Sequence, residues 1–143
     1  MTVKAILSKK GRDVATVDPN TDLMSAAKQL SERHIGALVV LGVDRRVGGI
    51  ISERDIIHAL AERGIAALSE PVSKVMTRKV ATCTEAETIP AIMERMTSGK
   101  FRHVPVIEQD SLVGIISIGD VVKHRIEEIE HETEALKDYI LTA

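Results

Sequence analysis

Aromatic side chains are almost missing from this chain: one Phe, one Tyr and no Trp, 1% of its residues. That removes the stacking platforms that hold single-stranded nucleic acid. A basic excess is missing too. Nineteen Lys and Arg stand against 21 Asp and Glu, a net charge of −2, so there is no electrostatic footprint for a phosphate backbone and no nucleic-acid partner is expected. No apolar run approaches the roughly 20 residues of a membrane span, and the first residues show no apolar segment with a cleavage site. The expectation is a cytoplasmic protein with no membrane partner. A lone cysteine, Cys83, excludes an intramolecular disulfide and reads as a buried, inert thiol. His34, His58, His124 and His131 lack metal-ligand spacing with carboxylates or cysteine, so no metal site is expected. What remains is an ordinary balance of 44% apolar and 28% charged residues over 143 positions.

The chain repeats itself. Val3–Leu7 reads as a short helix ended by the Ser8-Lys9-Lys10-Gly11 turn. Val14-Ala15-Thr16-Val17 reads as a strand, followed by Asp18-Pro19 as a helix N-cap with Pro at the first helical position. Leu23, Ala26, Ala27 and Leu30 form the apolar stripe of a helix ending near Arg33. Ala37–Leu41 and Val47–Ile51 flank a polar turn at Asp44-Arg45-Arg46, a hairpin. A second helix spans Ser52 to Arg63 and stops at Gly64. Val80-Ala81-Thr82 then echoes the first strand at an offset of 66 residues, and Ile89, Ile92, Met93 and Met96 echo the stripe at the same offset. Thr84 with Glu87 offers a capping box for that helix. Val104 and Val106 answer Leu38 and Val40, again at 66. Each unit is therefore strand–helix–strand–strand–helix. At about 60 residues, such a unit is marginal alone and gains by packing against its twin.

The most informative stretch is Gly49-Ile50-Ile51-Ser52-Glu53-Arg54-Asp55, with its echo Gly114-Ile115-Ile116-Ser117-Ile118-Gly119-Asp120. Each copy is a buried strand running into a helix start, with Ser at the N-cap and Asp three residues on. The junction gathers unpaired backbone N–H groups, a hydroxyl and a carboxylate at one mouth. The same Ser-x-x-Asp is also a capping device that needs no ligand. Met76, Met93 and Met96 read as core filler. On the last helix, from Gly119 towards Leu141, residues His124, Glu127, Glu128, Glu130, His131 and Glu132 read as a solvated face. Its Ile126, Ile129, Leu136 and Ile140 either reach a partner subunit or fold back on the helix's own domain.

Gly-apolar-apolar-Ser-x-x-Asp after a strand–helix–strand–strand unit resembles the cystathionine-β-synthase (CBS) domain, and two in tandem look like a Bateman module. Val75-Met76-Thr77, the run Ile35 to Val40, and Arg102-His103-Val104-Pro105-Val106 add to the resemblance, which covers roughly Val3 to Arg125. It implies an α+β fold: two β-α-β-β-α repeats packed with pseudo-two-fold symmetry, ending in a long C-terminal helix. Repeat 1 would take residues 1–67 with the N-terminal helix, repeat 2 residues 68–127 with a linker at Leu68–Met76, and a helical extension residues 128–143. It further implies two clefts between the repeats for adenosine-containing ligands such as AMP, ADP, ATP, NAD or S-adenosylmethionine, and a homodimer with a regulatory role towards an unidentified protein target.

By that resemblance, one cleft would combine Ser117, Asp120, Arg102 and His103 with Lys10, Asp13 and Ala15. The other would combine Ser52, Arg54 and Asp55 with Thr77 and Ala81; Ile35 is a further contact. The chemistry suits this. An ionised carboxylate accepts both protons of a ribose cis-diol, and serine at a helix N-terminus favours a phosphate oxygen. Ile50, Ile51, Ile115 and Ile116 would sandwich the adenine. Gly119 stands at the position equivalent to Arg54, and Gly36-Ala37 at those of Arg102-His103, so the clefts differ. With Lys10 added, the Asp120 cleft is expected to be the better phosphate site. No catalytic cofactor is expected and no catalytic residue stands out: the serines have no histidine partner in the sequence, and there is neither a Gly-x-Ser-x-Gly elbow nor a phosphate-binding loop. The alternative to a ligand sensor is a structural or dimerisation module with vestigial clefts. Carboxylates turned onto their own backbone amides beside a filled groove would decide for that alternative.

Overall fold

A computed structural model describes residues 1–142; Ala143, the end of the expected extension, lies outside the described residues. In chain order the elements are α1 (Val3–Lys10), β1 (Thr16–Val17), α2 (Leu23–Arg33), β2 (Ala37–Leu41), β3 (Val47–Ser52), α3 (Glu53–Arg63), two 3-10 turns (Gly64–Ser69 and Val72–Lys74), α4 (Ile89–Gly99), β4 (His103–Glu108), β5 (Ser111–Ser117) and α5 (Ile118–Thr142). The α+β fold with a long last helix is the expected one.

β1 pairs parallel to β2, and β2 antiparallel to β3, in one sheet; β4 and β5 form the second. The expected strand at Val80–Thr82 is not present as a ladder. Only Cys83 bridges, parallel to Val106, where Val17 pairs with Val40 in the first half. The cause is one residue. In the first sheet the Val39 amide donates to the Ala15 carbonyl at 3.1 Å. Its equivalent in the second is Pro105, which has no amide proton to offer the Ala81 carbonyl. The ladder therefore shrinks to the two bonds that Cys83 makes, its amide to the Pro105 carbonyl and its carbonyl from the Ile107 amide.

Both first helices begin four residues later than the sequence suggests. Asp18 closes a turn instead, accepting from the Asn20 amide at 2.8 Å, and Asp22 is the true N-cap of α2, accepting from the Ser25 amide at 2.7 Å. Thr88, equivalent to Asp22, caps α4. Glu87 still reaches the Thr84 amide, but from outside the helix, and is held by Arg95.

The two hydrophobic cores exchange their ends. Val3, Ile6 and Leu7 of α1 pack with Ile92, Val104, Val106 and Ile116, the core of the second repeat. Conversely Ala67 and Val72 pack with Leu23, Leu38, Val40 and Ile51, the core of the first. The backbone follows. The Ile89 amide donates to the Met1 carbonyl at 3.1 Å, and the Leu23 amide to the Glu70 carbonyl at 3.0 Å. The segment read as a linker is thus core of repeat 1, and α1 is core of repeat 2. Cys83 is 3% exposed, and burial pushes its thiol up to about 12. Of the methionines read as filler, Met96 is buried but Met93 is exposed on the outer face of α4.

The motif glycines are sites of close approach. A Cβ on Gly49 would stand 2.8 Å from the Thr77 carbonyl oxygen, where Ile50 and Thr77 exchange backbone hydrogen bonds at 3.0 and 2.9 Å. The atoms nearest a Cβ on Gly114 are those of the Leu7 side chain, its methyls at 2.7 and 2.8 Å. A methyl can turn aside more readily than a hydrogen-bonded backbone. Gly49→Ala is therefore expected to cost about 1–3 kcal/mol in urea unfolding, and Gly114→Ala the smaller amount.

α5 does not fold back. Val121 and His124 face the body, His124 at 5% exposed with no partner for Nε2 among the described residues, which corrects its reading as solvated. Ile126, Ile129, Leu136 and Ile140 all point to solvent.

Candidate functional site

Two clefts lie where the repeats meet. One, of about 550 Å³, is lined by Ile50, Ser52, Arg54, Asp55, Thr77, Ala81, Arg102 and His103, together with Glu53, Lys79 and Lys100. The other, of about 590 Å³, is lined by Lys10, Asp13, Ala15, Ile35, His103, Ile115, Ser117 and Asp120, together with Arg33 and His34. Each takes its Ser-x-x-Asp corner from one repeat, and its first-strand approach and the loop after the first helix from the other.

That rule moves one residue. Arg102 lines the Asp55 cleft and not the Asp120 cleft where it was expected, because residues 99–102 precede β4 on the same side as Thr77–Ala81. His103 lies in the wall between the clefts and lines both, as do Gly36 and Ser117. The wall is thin because Gly36 has no side chain. The His103 ring sits 3.6 Å from where a Gly36 Cβ would be. Burial, and then the charge of Lys10, push His103 down against the opposing pull of Asp120 and Glu53, so its imidazole is neutral at neutral pH. Ile51 and Ile116 are not in the clefts. Strand alternation turns them into the two cores and leaves Ile50 and Ile115 as the apolar lining.

Arg33, His34, Lys79 and Lys100 were missed in the sequence. His34 and Lys100 are equivalent residues that end α2 and α4 in the left-handed conformation, φ 54° and 56°. A non-glycine residue closing both first helices beside a strand was the available signal.

The carboxylates are half committed. Asp55 Oδ2 accepts from the Ser52 amide at 2.9 Å and from Ser52 Oγ at 3.0 Å, while the Asp55 amide donates back to Ser52 Oγ at 3.3 Å, a closed capping box. Its Oδ1 has only a long contact, Thr77 Oγ1 at 3.4 Å. Asp120 Oδ2 likewise accepts from the Ser117 amide at 2.8 Å, but also from Lys10 Nζ at 2.5 Å. Lys10 Nζ donates as well to the Ile115 carbonyl at 2.8 Å. In each case one carboxylate oxygen is spent on the helix start, and the grooves are open. Neither serine hydroxyl is bonded to a histidine among the described residues, and no cluster of His, Cys, Asp and Glu is set to hold a metal ion. No described helix is long and apolar enough to cross a membrane.

Burial pushes Asp120 up, but the Lys10 hydrogen bond, the Ser117 amide and the Lys10 charge outweigh it, so it lies below the ordinary carboxylate value of 3.8. A lowered carboxyl stabilises the fold above that value and loses the contribution as pH falls through its own lower one. Acid titration of thermal stability is expected to show this loss below about pH 4, and less of it in Lys10→Met. Identical acid limbs would contradict the clasp.

Two α+β repeats, each donating half of both clefts, define a tandem-repeat module with paired clefts between its halves. The chain belongs to the CBS domain family, whose model matches residues 3–62 and 72–127. A solved CBS-domain-containing protein from Agrobacterium tumefaciens is 50% identical with a TM-score of 0.84, over 87% of this chain and 92% of that one. The CBS domain pair of protein MJ0100, solved with 5′-methylthioadenosine and S-adenosyl-L-methionine, is 28% identical with a TM-score of 0.80, over 90% and 98%. A CBS domain protein from Pyrobaculum aerophilum complexed with AMP is 25% identical with a TM-score of 0.75, over 84% and 89%. Among curated proteins, a mitochondrial CBS domain-containing protein of Arabidopsis thaliana is 33% identical over 97% of this chain and 71% of its own length. The chain spans 66% of an uncharacterised relative from Acidianus ambivalens, and about a quarter of several larger plant relatives.

Proposed function

We propose that this chain is a regulatory, non-catalytic module that binds adenosine-containing ligands between its repeats. Ligand occupancy then shifts how it associates with a second copy or a target protein. The observation that carries this is the pair of open inter-repeat clefts, each presenting a carboxylate Oδ1 beside a helix N-terminus and an isoleucine. A ribose diol would take Oδ1, since Oδ2 is used by the cap, and Ile50 or Ile115 would carry the adenine. The relatives solved with AMP and with S-adenosylmethionine and methylthioadenosine support the ligand class.

The clefts are not equivalent, and their order is the reverse of the one the sequence suggests. The Asp55 cleft gathers Arg54, Lys79, Lys100 and Arg102, the better setting for the phosphates of AMP, ADP, ATP or NAD. In the Asp120 cleft Lys10 is clasped to Oδ2 of the acid that would hold the ribose, so its charge is already met by that carboxylate and is not free for a phosphate. This favours a ligand-free, structural role for that second cleft. Thermal melting with AMP, ATP, NAD and S-adenosylmethionine tests the reading. A ligand at 100 times its dissociation constant adds about 2.7 kcal/mol to stability. A vestigial cleft leaves the melting temperature unchanged.

A further inference from the structure

We infer that the outer face of α5 pairs in parallel with the same helix of a second copy, as a short two-stranded coiled coil. Val122, Ile126, Ile129, Thr133, Leu136 and Ile140 recur at alternating steps of four and three, the spacing of a heptad seam. With Ile126 at a, the a positions are Ile126, Thr133 and Ile140, all β-branched, and Val122, Ile129 and Leu136 fall at d. The face is unpartnered among the described residues: Ile126 is 51% exposed, Leu136 59% and Ile140 65%. The residues that dock α5 on its own body, Val121 and His124, fall at c and f, the side away from the seam. Each body would therefore hang outside the pair, and the a/d face is free to meet its mate.

Charge selects the occupant and the direction. In a parallel pair each g residue faces the e residue five positions on in the mate. Here that sets Arg125 against Glu130 and Glu132 against Lys137, opposite charges at both places and on both sides of the seam. Within one chain Arg125 pairs at 3.2 Å with Glu128, a c position, and exchanges that partner for Glu130 of the mate when the seam forms. A second copy supplies the required partner charges without any other protein. The inference does not depend on the clefts holding ligand.

Ile126→Cys in the full chain tests it. In a parallel seam the two introduced thiols adjoin, while Cys83 is buried and stays a thiol. In an antiparallel pair overlapping from residue 126 to the helix end they stand roughly 25 Å apart, from the 1.5 Å rise per residue. Mild oxidation of the ligand-free protein is expected to give covalent dimer at least tenfold faster than in His131→Cys, an f position. Adding Leu136→Glu is expected to remove most of that advantage. Leu136 touches no core, and circular dichroism confirms that the variant is folded. Glu132→Lys should slow cross-linking roughly two- to tenfold, as expected for two exposed pairs, and Glu132→Lys with Lys137→Glu should restore it. Failure of the Ile126→Cys variant to cross-link, equal rates for it and His131→Cys, or indifference to Leu136→Glu would each overturn the inference, whatever the oligomeric state.

Discussion

Arg102→Ala is expected to weaken binding of a phosphorylated adenosine ligand such as AMP about 10- to 100-fold. A hydrogen bond to a charged group contributes roughly 1.5–3 kcal/mol, and each 1.4 kcal/mol is tenfold in affinity. The guanidinium lies in the cleft wall at the end of the loop leading to β4, with Arg54 and Lys100 lining the same cleft. No hydrogen bond to Arg102's side chain ties it elsewhere among the described residues, so the substitution should leave stability nearly unchanged. The matched control is Arg33→Ala in the other cleft. If it weakened AMP binding more than Arg102→Ala does, the assignment of the phosphate site to the Asp55 cleft would be wrong.

The second large effect concerns the fold. Leu7→Ala should destabilise the chain by about 2–5 kcal/mol, the range for a fully buried leucine whose cavity cannot close. Leu7 is 1% exposed and packs in the second core, against Gly114 and Ile116 among others, both more than 100 residues away in sequence. Urea unfolding followed by far-ultraviolet circular dichroism measures the loss. A cost below about 1 kcal/mol, the level of an exposed substitution, would mean that α1 is an appendage and that the exchange of ends does not bind the repeats together. Because Lys10 ends the same helix, Leu7→Ala should also loosen its clasp on Asp120.

How much of this was legible in the chain depends on the kind of signal. The duplicated Ser-x-x-Asp corner, the apolar stripes and both hairpins follow from local periodicity and capping chemistry, and they stand where the residues place them, except that Met93 turns outward from its stripe. Apart from the two helix starts, placed four residues early at Asp18 and Thr84, what failed was long-range. Nothing local says that Val3, Ile6 and Leu7 belong to the second core, or that Val72 belongs to the first, because both are apolar runs that any core would accept. The missing ladder at Val80–Thr82 was readable in principle. Pro105 was in view, and its absent amide only mattered once the offset of 66 placed it opposite Ala81. Arg102 was assigned to the wrong cleft because two clefts related by a pseudo-two-fold axis draw on crossed segments, and a motif does not reveal which segment crosses. Lys10 was expected near Asp120 and is there. Its grip on that acid, rather than on a phosphate, needed the geometry.

The same geometry explains why the two halves of a duplicated chain diverge. Met76 stands at the position equivalent to Lys10, so Asp55 has no lysine on it, whereas Asp120 Oδ2 is shared between the Ser117 amide and Lys10. Gly36 stands opposite Arg102, which thins the wall for the His103 ring and leaves the Asp120 cleft without that guanidinium. Small changes at equivalent positions thus separate a cationic cleft from a clasped one.

Isothermal titration of the folded chain with AMP, ATP, NAD and S-adenosylmethionine puts the binding claim to its hardest trial. Heat from at least one of them, saturating near one equivalent and greatly reduced by Arg102→Ala for the phosphorylated ligands, is the predicted result. No heat from any of the four, with the protein shown to be folded, would leave two empty grooves in a scaffold.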